Sequence, residues 1–101
     1  MKDVRITVIR KVSHDDLIAK YENPISHACE MKENEVFVSH GHQMPDGFCA
    51  SAWESISPFV LTLSCNGADI FDGWMKNPTT AMISCNDGFR PVSFLLETCI
   101  G

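Results

Sequence analysis

Residues 80–97, TAMISCNDGFRPVSFLLE, decide how the rest of the chain is read. Residues 80–85 form an apolar, strand-like run, and residues 90–97 form a second one in which Val92, Phe94 and Leu96 fall on one face. Between them lies Asn86-Asp87-Gly88-Phe89, with the composition of a hairpin turn. Pro91 constrains the pairing, because it brings no N–H to a ladder. A four-residue loop over 86–89 sets Pro91 at a non-hydrogen-bonded pair and places Cys85 directly opposite Arg90. It also leaves the far side of Pro91 unpaired, at an edge or a bulge.

Working back from the hairpin, Cys49, Ala52, Trp53, Ile56, Phe59, Val60 and Leu63 recur at steps of three and four, one apolar face of a helix. Asp46 stands where it can cap that helix, and Asn66-Gly67 supplies a stop with glycine in the left-handed conformation. Pro58 falls inside the pattern and predicts a kink or a split. Residues 66–78 make a long Gly- and Asp-rich connection carrying Asp69, Asp72 and Trp74.

Nearer the N-terminus, residues 4–9 alternate as a half-buried strand. Ser13 with Asp16 resembles a capping box opening a short helix that runs to about Tyr21 and stops at Asn23-Pro24. Lys32-Glu33-Asn34-Glu35 reads as a turn before a strand over 36–38. The order β-α-β-α-β-β predicts one α+β domain over residues 1–101. Its expected form is a small, mostly antiparallel four-stranded sheet with helices packed on one face.

The 101 residues carry a formal net charge of -5. Their eight basic residues are scattered, which disfavours nucleic acid and anionic membranes as partners. No apolar run approaches a bilayer span, and the opening residues lack a signal core, so a cytoplasmic protein is expected. Five cysteines cannot all pair internally, and in a reducing compartment they read as free thiols or metal ligands. Cys65 and Cys99 read as buried apolar fillers.

Three other cysteines invite chemistry. Cys49 is expected in the first turn of the second helix, where the helix N-terminus favours a thiolate while burial and Asp46 oppose it. Cys85 is expected beside Arg90, which needs an anionic partner if partly buried. Asp69, Asp72, Asp87, Glu54 or a small anionic ligand could serve, and a turn-closing ion pair with Asp87 is the plain structural alternative. Cys49, Cys85 and Arg90 are therefore the candidate catalytic residues, and Arg90, Asp87 and Trp74 the candidate ligand-binding ones, with Trp74 a lid or interface residue beside Met75. Cys29, Cys49 and Cys85 are the candidate metal ligands, with His27 as a fourth, for zinc or iron. Against a metal site, the chain has no Cys-x-x-Cys pair. His40-Gly41-His42 reads as a solvated pair rather than a ligand pair.

The segment Cys85-Asn86-Asp87-Gly88-Phe89-Arg90-Pro91-Val92, together with Pro45-Asp46-Gly47-Phe48-Cys49, Ala52-Trp53 and the Val4–Val8 strand, resembles an uncharacterised family of small prokaryotic proteins common in anaerobes. The resemblance spans nearly the whole chain, and its most specific part is the pattern Cys-x-Asp-Gly-x-Arg-Pro-Val. It implies no activity. It implies only that Cys29, Cys49, Cys85, Asp87, Gly88, Arg90 and Pro91 match recurrent positions. Three readings follow: a cysteine-centred ligand-binding or redox site, a thiolate metal site, or a non-catalytic homo-oligomeric module with structural cysteines.

Overall fold

The computed structural model describes residues 1–25 and 29–99. Its elements are β1 (Val4–Lys11), α1 (Asp15–Tyr21), β2 (Val36–Ser39), α2 (Ala50–Ser64), β3 (Thr80–Ser84) and β4 (Val92–Thr98). The strands form one antiparallel sheet in the order β2-β1-β4-β3, the expected α+β architecture.

Alternation along the strands builds the core. Val4, Ile6 and Val8 of β1, Val92, Phe94 and Leu96 of β4, and Ala81 and Ile83 of β3 all point to one face and are buried. Against them lies the stripe Ala52, Ile56, Val60 and Leu63 of α2, with Phe48, Met31 and Ile70 closing the ends. Burial of each large side chain is worth about 1.5–3 kcal/mol. The helical layer is α2 alone, because α1 buries none of its residues.

The ends of the helices differ from expectation. Ser13 gives its hydroxyl hydrogen to Asp15 Oδ1, and the N-cap of α1 is His14, without a side-chain cap. Asp46 does not cap α2, whose N-cap is Cys49. The stop at the far end is a Schellman arrangement. Asn66, not glycine, takes the left-handed conformation at φ 64°, the Asn66 N–H reaches Leu63 O, and the Gly67 N–H reaches Thr62 O at 2.8 Å. Gly67 is needed for space: a Cβ there would stand 2.4 Å from Thr62 Cγ2 and 2.6 Å from its carbonyl oxygen. Pro58 does not split the helix, which runs unbroken from Ala50 to Ser64.

The hairpin register is also corrected. Ser84 pairs with Ser93 and Ile83 with Phe94, so Cys85 faces Val92, not Arg90. The physical reason is Asp87. Its Oδ1 accepts the N–H groups of Phe89 (2.8 Å) and Arg90 (3.0 Å), winding residues 87–90 into a compact turn so that pairing resumes only at Val92. Pro91 then lies just outside the ladder, where its missing N–H costs nothing, and its carbonyl accepts the Val12 N–H at 3.0 Å. The bulge falls on β1, at Ile9, where the register against β4 shifts between Val8 and Arg10.

Among the described residues, no helix is long and apolar enough to cross a membrane.

Candidate functional site

One end of the sheet gathers the chemistry. Lys11 of β1 pairs with Val92 of β4, and Cys85 follows the last residue of β3. The N-terminus of α2 and the segment after α1 close over this end. Together they enclose an open cavity of about 660 Å3. Cys29, Cys49, Cys85 and Arg90 all line it, so four residues from distant parts of the chain do meet in one place. Its apolar floor is Met31, Ala52, Val92 and Phe94, and Glu22, Glu30, Glu35 and Asp87 supply carboxylates around it.

Cys49 is the residue on which α2 begins, one position before the first turn expected for it. Its Sγ lies 3.3 Å from Ser51 Oγ. The Ser51 hydroxyl holds the thiol below the ordinary cysteine range. Burial pushes the other way, and the Ala52 and Ser51 backbone N–H groups add to the lowering. These N–H groups belong to the first turn of the helix, whose donors have no intrahelical acceptor. As the N-cap residue, Cys49 makes no side-chain cap hydrogen bond.

Cys85 is held differently. Its N–H donates to Val92 O at 3.0 Å, but the return bond goes to sulfur: the Val92 N–H donates to Cys85 Sγ at 3.3 Å. The carbonyl of Cys85, which an unbroken ladder would use, instead accepts the Ser84 hydroxyl at 2.9 Å. Both sulfurs thus take part in a hydrogen bond at the edge of the same cavity.

Arg90 has a partner that the sequence reading did not include. Its Nη1 lies 2.9 Å from Glu22 Oε1 and 3.1 Å from Glu22 Oε2, with both side chains mostly shielded from solvent. None of Asp69, Asp72, Asp87 and Glu54 takes this role. Asp87 lines the cavity, but its carboxylate serves the turn backbone instead of an ion pair with the guanidinium. A small anionic ligand at Arg90 would share the guanidinium with Glu22, which already holds Nη1. With its charge already engaged, Arg90 acts as a positioning residue: it ties the C-cap of α1 to the hairpin turn.

Trp74 is not part of this site. It lines a shallow hollow with Met82, Leu95 and Glu97, whose strand positions put them on the sheet face opposite α2. There it packs edge-on to Phe71, which continues to Phe59, and Trp74 is 54% exposed. The histidine pair divides as well. His40 Nδ1 lies 3.0 Å from Asp3, while His42 Nε2 donates to Ser57 O at 2.9 Å and its ring sits near Trp53, so His42 is not a solvated side chain. Cys65 is exposed at the C-cap of α2 and Cys99 is half-buried, so neither is a core filler.

Among the described residues, no three of His, Cys, Asp and Glu come together to hold one ion, although Cys29, Cys49 and Cys85 share the cavity. His27 lies outside the described residues. All five cysteines are free.

The reading from sequence missed Glu22 and Ser51. A serine two residues after a helix-starting cysteine is a local signal that could have been found. Glu22 had none, because its partner lies 68 residues away. No family model, curated protein or solved structure matches the chain.

Proposed function

We propose that this is a small thiol-centred binding or redox protein, with Cys49 as the reacting thiolate and Cys85 and Cys29 as its neighbours in the cavity. The observation that carries the reading is Cys49 itself. A thiol shifted toward its charged form, set at a helix N-terminus on the wall of an open cavity, has the surroundings of a reactive cysteine rather than a packing one. A reducing compartment such as the cytoplasm suits five free thiols. The motif family that the chain resembles is proposed as its family, since Asp87 and Pro91 of the motif shape the turn that brings Arg90 and Cys85 to the cavity.

The test is alkylation of the native chain with iodoacetamide at neutral pH, read by peptide mapping. Cys49 is expected to react first and faster than a free cysteine. A chain whose cavity thiols react only after unfolding refutes the reading.

A second reading, self-association, has its own observation. β3 ends the sheet with no strand beyond it among the described residues, and the exposed Phe71 and Trp74 stack close to it. An unpaired edge is a surface on which a second copy of the chain can add its own edge strand. Sedimentation would show a dimer weakened by Trp74→Ala; a monomer at high concentration excludes it.

A further inference from the structure

Resting on the thiol-site reading, we infer that the cavity takes a positively charged thiol compound: a disulfide of an amine-bearing thiol, captured by Cys49. The charges lining the cavity point this way. Glu22, Glu30, Glu35 and Asp87 face it, and among the described lining residues Arg90 is the one cation. Four carboxylates against one guanidinium leave a formal excess of three negative charges on the lining. The charge of Arg90 is offset by Glu22, whose two oxygens lie 2.9 and 3.1 Å from its Nη1. One further cation, Lys11, bonds to the backbone of a lining residue. Its ammonium donates to Cys29 O at 3.0 Å, and Lys11 is absent from the cavity lining. A space lined by one sign of charge concentrates ligands of the other sign.

The floor sets the rest of the ligand. Met31, Ala52, Val92 and Phe94 offer an apolar seat for a short methylene stem, and the carboxylates of the same lining offer partners for an ammonium head. A volume of about 660 Å3 accommodates a molecule of a few to some tens of heavy atoms.

The exchange balances without another reactant. The Cys49 thiolate attacks one sulfur of the disulfide R–S–S–R, a Cys49–S–S–R bond forms, and the original S–S bond breaks. The departing R–S⁻ takes up the proton that the Cys49 thiol gave to solvent. The chain's thiol is oxidised to a mixed disulfide, and one equivalent of R–SH is released as the reduced product.

Three methanethiosulfonates test this on the native chain: one with a trimethylammonium-ethyl group, one with a sulfonato-ethyl group and the neutral methyl compound. Rates at Cys49, read by peptide mass, are divided by those of 2-mercaptoethanol with the same reagents. The cationic reagent is expected to exceed the anionic one by roughly tenfold after this correction, the advantage shrinking at high salt. Glu30→Gln with Glu35→Gln should bring the ratio toward that of the free thiol, whereas Glu54→Gln, on the exposed side of α2, should leave it. Equal rates, or a faster anionic reagent, overturn the inference. Failure of the neutral reagent to modify any cavity thiol sinks the thiol-site reading separately. The charge preference is then decided by relaxation of the Ser51, Ala52 and Val92 amides with an ammonium and a carboxylate nitroxide. Stronger broadening by the ammonium probe supports it, and equal broadening overturns it.

Discussion

The Nη1 of Arg90 straddles the carboxylate of Glu22, 2.9 Å from one oxygen and 3.1 Å from the other, and so fastens α1 to the hairpin turn. Little else secures this helix. It buries no side chain, and its other ties to the turn are backbone bonds at its entrance, from His14 N–H to Phe89 O and from Val12 N–H to Pro91 O. Arg90→Gln or Glu22→Gln should cost roughly 1–2 kcal/mol in denaturant unfolding, and the double variant little more than either alone. Hydrogen exchange should rise first in α1, whose C-cap Glu22 lines the cavity. Unchanged exchange there would show that the pair does not hold the helix.

Cys49 should reveal itself by its pH dependence. Its thiol is lowered in the folded chain, so the thiolate is favoured by folding. The associated stability is fully present above the unfolded value of about 8.5 and is lost as pH falls through the lower folded value. The stability of the native chain relative to Cys49→Ser should therefore grow as pH rises through that window. The alkylation rate of Cys49 should inflect below the ordinary thiol range, and Ser51→Ala should move the inflection up, because the Ser51 hydroxyl is the largest cause of the lowering. An inflection unmoved by Ser51→Ala would place the cause elsewhere.

What was legible in the sequence follows from the range of each signal. The face of α2 and the alternation of β1 and β4 are local periodicities, and burial of Ile56, Val60, Val8 and Phe94 follows them directly. Whether Cys29, Cys49 and Cys85 meet was not legible, since spacing along the chain says nothing about three separate elements. The Cys85–Arg90 pairing was misread because turn length was inferred from the missing donor of Pro91. Two backbone bonds to Asp87 lengthened the turn instead, and only side-chain geometry reveals them. Trp74 was assigned to the site by residue type, whereas the loop carries it to a separate hollow beside β3 and β4.

Cys85 accepts the Val92 N–H through sulfur, and Val92 is 2% exposed. Cys85→Ala strands that donor and should cost about 1–3 kcal/mol, the penalty for an unsatisfied buried group. Cys85→Ser keeps an acceptor at the position and should cost clearly less. The comparison separates a structural duty of this sulfur from a chemical one. If Cys85→Ser is stable yet changes the rate at Cys49, Cys85 influences the site beyond holding the turn.

Gly67 gives a prediction in which the usual argument from backbone freedom would mislead. Gly67 does not take the left-handed conformation that glycine is normally chosen for; its neighbour Asn66 does, at φ 64°. Asn66→Gly should therefore be tolerated or slightly stabilising, since it removes the strain of a side chain at positive φ. At Gly67 the obstacle is contact. A new Cβ would meet the Thr62 carbonyl oxygen at 2.6 Å, and that oxygen is fixed by the Gly67 N–H it accepts at 2.8 Å. Relief requires opening the Schellman turn that ends α2. Gly67→Ala should thus cost about 1–3 kcal/mol. Trimming Thr62 to Ser removes the Cγ2 clash at 2.4 Å but leaves the carbonyl, so it should rescue only part of the loss. Full rescue by Thr62→Ser would mean that the methyl group, not the backbone, excludes a side chain at position 67.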